Sequence, residues 1–259
     1  MPKRTSYAQG TPSWVDLSTT DQEAAKAFYT GLFGWDVQEG PPESGGYCMA
    51  ELNGRQVAGI GPKMGPDEMP AAWTTYIASA DADETVRKIG EAGGQVAVEP
   101  MDVMDVGRMA IAADPGGAFF GIWQARSHSG IQMANEPGAL TWNENMSRDF
   151  AGNKAFYHSV FGYEYGDMSS EGFNYATADL GGSPIGGIGE LDPNFPPEVP
   201  ANWATYFGVA DADAAVAKAE ELGGSVVRPA WDTPYGRMAV LADNQGAVFA
   251  VVSATGAGG

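Results

Sequence analysis

Apolar residues recur at spacings of three and four in four stretches of the chain, and each stretch predicts an amphipathic helix. The first begins after Thr20 or Asp21, whose side chain can accept from free backbone N–H groups, and ends before Gly34. The second covers 83–92 and ends before two glycines. Both patterns return later in the chain. The four predicted capping residues are Asp21, Asp83, Asp149 and Asp213.

Short β-prone runs surround these helices. Three runs follow each helix and are separated by Gly and Pro residues, and a strand led by tryptophan precedes each helix. The four leading residues are Trp14, Trp73, Trp142 and Trp203. The order strand, helix, strand, strand, strand therefore occurs four times, in modules of about 60 residues.

The four modules form two pairs, because the sequence repeats over a long offset. The stretches "WTTYIASADADETVRKIGEAGG" and "WATYFGVADADAAVAKAEELGG" share 12 of 22 positions and lie 130 residues apart. The phrases "KAFYTGLFGW" and "GRMAIAAD" also return, as "KAFYHSVFGY" and "GRMAVLAD". We predict a tandem duplication with domains at 10–126 and 137–254. The polar, aperiodic stretch "SHSGIQMANEPG" is the linker between them.

This module order resembles the vicinal oxygen chelate superfamily of glyoxalases, bleomycin-resistance proteins and dioxygenases, in its tandem, actinobacterial, hydroxylase-like form. The matching phrases are "TDQEAAKAFYTGLFGW", with its aspartate, Phe-Tyr and Gly-aromatic features, and "ADPGGAFFGIW", with its D-P-x-G turn. The resemblance implies an α+β fold with tandem glyoxalase-like domains. Four βαβββ modules would form two cupped mixed sheets, each with helices outside and a cleft inside.

The resemblance also implies four metal-ligand positions in each cleft, where the family usually carries His, Glu or Gln. In the first half these map to Trp14, about Gly59, Thr74 and Gly121, and in the second to Trp142, about Gly187, Ala204 and Ala250. Trp, Gly and Ala side chains cannot ligate a metal, and a lone Thr is a poor ligand. We therefore predict no metal ligands and expect no cofactor, with a divalent metal only at an atypical site.

Strand alternation selects the side chains that line the clefts. Asp16 and Glu144 are candidate catalytic residues, since either could act as a base if burial raises its pKa. The candidate ligand-binding residues on the strands are Trp14, Thr74, Tyr76, Trp123, Trp142 and Tyr206. The alternative is that the aromatic residues fill an obsolete cavity and that Asp16 caps a backbone donor.

The residues alone leave two points open. The phase of "TWNENM" is uncertain, because it would turn Asn143 and Asn145 towards the helices. Arg108 and Arg237 recur in the "GRMA" phrases and are further ligand-binding candidates, for an anionic group. The alternative for both arginines is a structural salt bridge.

Charge and cysteine content limit the binding partners and the cysteine chemistry that the chain can have. The chain of 259 residues has 14 Lys and Arg against 33 Asp and Glu, a net charge of −19, which argues against nucleic acid or an anionic membrane as partner. The single cysteine, Cys48, excludes an internal disulfide and a cysteine zinc cluster. The sequence shows no signal peptide and no apolar run of membrane-spanning length, so we expect a cytoplasmic protein.

Three functions are compatible with this pattern. The first is a metal-free protein that binds a small hydrophobic or aromatic molecule in its clefts. The second is a lyase, isomerase or hydroxylase/dioxygenase-type enzyme of small-molecule metabolism. The third is a non-catalytic scaffold that binds protein partners. We expect a small organic molecule as partner, and a monomer with paired domains or a homodimer.

Overall fold

The computed structural model describes residues 4–63, 70–194, 196 and 198–253, so the predicted domain end at 254 lies outside the described residues. In the first half the helices are α1 Gln22–Phe33 and α2 Ala82–Glu91. Its strands are β1 Pro12–Thr19, β2 Asp36–Glu39, β3 Cys48–Leu52, β4 Arg55–Pro62, β5 Ala72–Ala78, β6 Gln95–Val103, β7 Gly107–Ala113 and β8 Phe119–Ala125.

The second half repeats these elements in the same order. Its helices are α3 Phe150–Phe161 and α4 Ala212–Glu221. Its strands are β9 Leu140–Ser147, β10 Glu164–Asp167, β11 Tyr175–Leu180, β12 Ser183–Glu190, β13 Asn202–Gly208, β14 Ser225–Thr233, β15 Gly236–Ala242 and β16 Val248–Ser253. Among the described residues, no helix is long and apolar enough to cross a membrane.

Each half of the chain builds its own eight-stranded mixed sheet. The strand orders are β2-β3-β4-β1-β5-β8-β7-β6 and β10-β11-β12-β9-β13-β16-β15-β14. The antiparallel pairs β1–β5 and β9–β13 join the two modules of each half. The predicted α+β fold, with four βαβββ modules forming two mixed sheets, is confirmed, and both sheets are completed within one chain.

The predicted caps of α2 and α4 are wrong by two residues. Asp81 and Asp211 cap these helices, and their side chains accept from backbone N–H groups of the first turn. Asp83 and Asp213 lie inside the first turn, where their carboxylates are exposed and bind arginines. The repeated "ADAD" offers two aspartates at each start, and only the one in extended backbone geometry can cap. The caps Asp21 and Asp149 are as predicted.

The two sheets turn their helix-bearing faces towards each other, and the helices form a layer between them in which the central strands β5 and β13 also pack directly together. Phe33 of α1 contacts Phe207 of the second sheet at a ring-centroid distance of 5.0 Å. Phe156 of α3 contacts Phe120 of the first sheet at 6.3 Å. Because each sheet turns its helix-bearing face towards the other, the two clefts lie on the opposite, outward faces.

A buried polar group on α3 ties the halves together within this layer. The Tyr157 hydroxyl donates to Asp114 Oδ2 of the first half at 2.9 Å, and Trp203 Nε1 donates to the Tyr157 hydroxyl at 2.8 Å. The matching group on α1 uses the hydroxyl of Tyr29, which donates to Asp243 at 3.0 Å. Each half therefore supplies a buried tyrosine to an aspartate of the other.

The structure also explains the asparagines of β9. Asn145 Nδ2 donates to Asp114 Oδ2 at 2.8 Å, and Asn143 Nδ2 donates to Thr75 Oγ1 at 2.8 Å. Both amides do face the helices, where partners from the other half satisfy them. The open phase of this strand is thereby settled, with Trp142 on the cleft side.

We predict that Tyr157→Phe lowers the free energy of unfolding by about 1–3 kcal/mol, because it removes a donor from buried Asp114 and an acceptor from Trp203. Chemical denaturation measures the change. Tyr235→Phe is the control, since that side chain is 61% exposed, and it should change stability by less than about 0.5 kcal/mol. Equal effects of the two variants would contradict the role of this hydrogen bond.

Candidate small-molecule site

A carboxylate held by two tyrosines lies at the centre of the first cleft. The Tyr47 hydroxyl donates to Asp16 Oδ2 at 3.0 Å, and the Tyr76 hydroxyl also donates to this carboxylate. Trp14 Nε1 in turn donates to the Tyr47 hydroxyl at 2.9 Å. Strand register places Asp16 directly opposite Thr74 of β5. The predicted residues on β1 and β5 therefore come together on one face.

The second cleft repeats this arrangement. Tyr175 donates to Glu144 Oε2 at 2.9 Å, and Tyr206 donates to the other oxygen. Trp142 Nε1 donates to the Tyr175 hydroxyl at 3.0 Å. Each cleft thus holds one carboxylate, two phenols and one indole in the same hydrogen-bonding order.

Burial controls the protonation of these groups. Desolvation raises the pKa of Asp16 to about 7, against the opposing effect of the two tyrosine donors, and it raises the pKa of Glu144 as well. Desolvation also holds the pKa values of Tyr47 and Tyr76 well above their usual range, so both remain donors. The Asp16 carboxyl can therefore take up or release a proton near neutral pH, as a general acid or base must.

The family's metal does not fit the residues present. A Cβ atom added at Gly59 would lie 1.9 Å from the Tyr47 hydroxyl oxygen, and one at Gly187 would lie 2.0 Å from the Tyr175 hydroxyl oxygen. These glycines stand near the mapped ligand positions, so the tyrosine side chains occupy the space that a ligand side chain would need.

The remaining mapped positions lead to the same conclusion. A Cβ at Gly121 would lie 2.0 Å from Cδ1 of Tyr76, and Ala204 and Ala250 have no ligating atom. Across the described ranges, no three or more His, Cys, Asp and Glu side chains are grouped so as to hold a metal ion. We therefore assign no reaction step to a metal.

Three residues of the clefts were missed by the sequence analysis. Tyr47 and Tyr175 lie outside the strands considered there, although their occurrence at one offset of 128 was a usable signal. His128 was placed in the linker, yet its ring packs edge-on against Trp14 at a centroid distance of 4.4 Å. Trp123 Nε1 donates to the His128 carbonyl oxygen at 2.9 Å, which holds the linker over the first cleft.

The two arginines of the "GRMA" phrases lie on the helix side of their sheets. Arg108 donates to both carboxylate oxygens of Asp83 at 2.9 Å and to Asp102 at 3.1 Å. Arg237 makes the same bidentate contact with Asp213, through hydrogen bonds of 2.7 and 2.9 Å. This geometry favours the structural salt bridge over a ligand site for both arginines.

Comparison with known proteins agrees with this fold. The family described as "Glyoxalase/Bleomycin resistance protein/Dioxygenase superfamily" matches residues 11–122 and 139–251. "Putative glyoxylase CFP32" of Mycobacterium tuberculosis is 47% identical over 258 residues, covering 97% of this chain and 98% of the relative. "Anthracycline biosynthesis protein DauV" of Streptomyces sp. is 38% identical over 262 residues, covering 96% of this chain and 94% of the relative.

Solved structures share the architecture at low sequence identity. A Mn(II)-bound glyoxalase from Novosphingobium aromaticivorans has a TM-score of 0.65 at 16% identity, covering 95% of this chain and 83% of its own. A 2,2',3-trihydroxybiphenyl 1,2-dioxygenase from Sphingomonas wittichii has a TM-score of 0.63 at 12% identity, covering 95% of this chain and 91% of its own. These likenesses concern the fold.

Paired cupped sheets built from four βαβββ modules define a tandem vicinal oxygen chelate protein. The chain belongs to the glyoxalase/bleomycin resistance protein/dioxygenase superfamily, on the strength of the match in both halves.

We predict that the contribution of Asp16 to the free energy of unfolding depends on pH. The pKa of Asp16 is about 7 in the folded protein against its ordinary value of 3.8, so the folded chain binds more protons between these values. This group therefore makes the free energy of unfolding fall as pH rises, by up to about 1.4 kcal/mol per pH unit. Asp16→Asn should remove this slope, as measured by urea unfolding from about pH 4.5 to about pH 8.

The informative quantity is the difference in the free energy of unfolding between wild type and Asp16→Asn at each pH. His128 has a pKa that burial lowers to about 4, so it gives a slope of opposite sign, but it is present in both proteins and cancels. A difference that does not change with pH would contradict the raised pKa of Asp16.

We predict that Gly59→Ala destabilises the protein by about 1–3 kcal/mol, because its Cβ would displace the Tyr47 hydroxyl from Asp16. Gly90→Ala is the matched control, since Gly90 lies in α2 and a Cβ added there would meet open space. This variant should raise the free energy of unfolding by up to about 1 kcal/mol. Thermal and chemical unfolding measure both changes. A neutral Gly59→Ala would show that the tyrosine does not occupy this space.

Proposed function

We propose that the protein binds a small aromatic or hydrophobic molecule in its cleft region without the metal that its family usually holds. The observation that carries this proposal is the placement of Tyr47 and Tyr175 over Gly59 and Gly187. A cleft whose ligand positions are filled by tyrosine rings offers flat apolar surface and hydrogen-bonding edges in place of a Lewis acid.

The polar groups of the clefts support an organic ligand with an oxygen or nitrogen function. Glu144 already accepts two phenol hydrogen bonds, so protonation of this carboxyl would leave one donor free for a ligand. The aromatic side chains Trp142 and Tyr206 stand opposite each other on paired strands beside it. Such a set recognises a flat molecule and fixes its orientation.

The relatives support the same class of ligand. The Streptomyces protein is named for anthracycline biosynthesis, and anthracyclines contain fused aromatic rings. The similarity extends over 96% of this chain. This name belongs to that protein, and for the present chain it supports the choice of fused-ring compounds as probes.

An enzyme remains the second candidate, and one observation favours it. Asp16 is half-buried, is held by two phenols and has a pKa of about 7, which suits a general base at neutral pH. In such a reaction Asp16 or Glu144 would take a proton from the ligand, and a tyrosine would hold the resulting oxyanion. The two candidates differ in whether the ligand is recovered unchanged after incubation with the protein.

We predict saturable binding of 2-(hydroxymethyl)anthraquinone, a flat neutral probe, to protein treated with a chelator. Calorimetry should give the same dissociation constant before and after metal removal. Trp142→Ala should weaken binding by about tenfold or more, because burial of an indole face contributes about 1.5 kcal/mol or more.

The control is Tyr165→Phe, whose hydroxyl donates to a backbone carbonyl outside the clefts and which should leave the affinity unchanged. Binding that disappears with the chelator and returns with a divalent metal would contradict the proposal. Chromatography of the recovered probe after incubation decides between binding and turnover.

A further inference from the structure

We propose that the two clefts have diverged, so that the second cleft holds the ligand and recognises a flat, fused-ring anion through Arg228. This inference rests on the proposed function and adds to it a site and a chemical class.

Strand register places Arg228 on the cleft face. Across the second sheet, Trp142 stands opposite Tyr206, Tyr206 opposite Ala250, Ala250 opposite Val240, and Val240 opposite Arg228. Side chains that stand opposite each other on paired strands point to the same face. Arg228 therefore belongs to the same row of side chains as the two aromatic residues of the site, and its positive charge opposes the rise in the pKa of Tyr206.

The guanidinium of Arg228 is available to an anion. Its Cζ atom lies 3.8 Å from the ring centroid of Trp231, so the planar group is stacked on an indole. Within the described part of the chain, no carboxylate forms a salt bridge with it, in contrast to Arg108 and Arg237. A stacked guanidinium keeps its N–H groups directed outward in its plane, where they fit a carboxylate or a phenolate.

The first cleft lacks this pair of residues. Its corresponding row runs from Trp14 through Tyr76, Gly121 and Ile111 to Val98. Val98 thus takes the position of Arg228. In the same way, the first sheet has Met101 paired with Met109 at the place where the second sheet has Trp231 paired with Met238. An anion-binding group is therefore present in one cleft and replaced by apolar side chains in the other.

Within the residues that the structure describes, the first cleft is also closed by groups that have no counterpart in the second. His128 covers Trp14, which is only 3% exposed, and Trp123 lies beside His128 at 5.6 Å. The residue at the position of Trp123 in the second sheet is Val252, which leaves more room. Trp142 is partly exposed, whereas its counterpart Trp14 is buried in the main core cluster. The second cleft is therefore the less enclosed of the two around this tryptophan.

The distance along the row sets the size of the ligand. Three interstrand steps of about 4.8 Å separate Tyr206 from Arg228, which is roughly 14 Å at the backbone, and the arginine side chain shortens this gap. Two or three fused rings span the remainder. The half-buried carboxyl of Glu144 disfavours a second negative charge beside it, so the anionic group lies at the Arg228 end and a neutral polar group at the Glu144 end.

The test compares two flat probes by calorimetry on the full chain, anthraquinone-2-carboxylate and the neutral 2-(hydroxymethyl)anthraquinone. We expect one site per chain and at least about fivefold tighter binding of the carboxylate, which Arg228→Gln abolishes while the affinity for the alcohol changes less than about twofold. Arg87→Gln is the control, because it removes the same charge from the exposed face of α2.

Equal affinity of wild type for the two probes, a preference that survives in Arg228→Gln, or two sites per chain would each overturn the inference while the proposed function stands. Binding of neither probe would reject the proposed function, and the inference with it. A lost preference in Arg87→Gln would show a general charge effect and would also overturn the role of Arg228.

Discussion

The clefts depend on one constraint, which is that a carboxyl group partly withdrawn from water needs hydrogen-bond donors. Two tyrosine hydroxyls satisfy Glu144, and two satisfy Asp16. Each ring that brings a hydroxyl to the carboxyl has to lie across the neighbouring strands. Under the Tyr47 and Tyr175 rings the neighbouring strand must then be bare of side chains, and Gly59 and Gly187 meet this requirement. The glycines and the tyrosines are therefore one connected feature rather than two.

The duplication has kept this feature in both halves and has changed what surrounds it. The interface between the halves is nearly symmetric, because Tyr29 and Tyr157 each reach an aspartate of the other half. The cleft mouths differ, since the linker residue His128 covers one and Arg228 stands at the other. Because the two copies share a buried interface, one cleft can serve packing while the second is left to a ligand.

Much of the fold was predictable from the sequence, because helix periodicity, the tryptophan-led strands and the repeat are local or exact signals. The cleft-facing phase of Asp16 and Tyr76 followed from alternation on single strands. Contacts between distant segments were not predictable in this way. No local pattern indicates that Asn145 meets Asp114 of the other half, or that His128 folds back over Trp14.

The central claim is that tyrosines replace metal ligands, and a crystal structure with anomalous scattering tests it most directly. Crystals soaked in Mn²⁺, Ni²⁺ or Zn²⁺ would be measured at the absorption edge of each metal. The account predicts no anomalous peak within coordination distance of Asp16 or Glu144, and the Tyr47 and Tyr175 rings packed over Gly59 and Gly187. A metal peak bound to either carboxylate, with the tyrosines swung away, would contradict it.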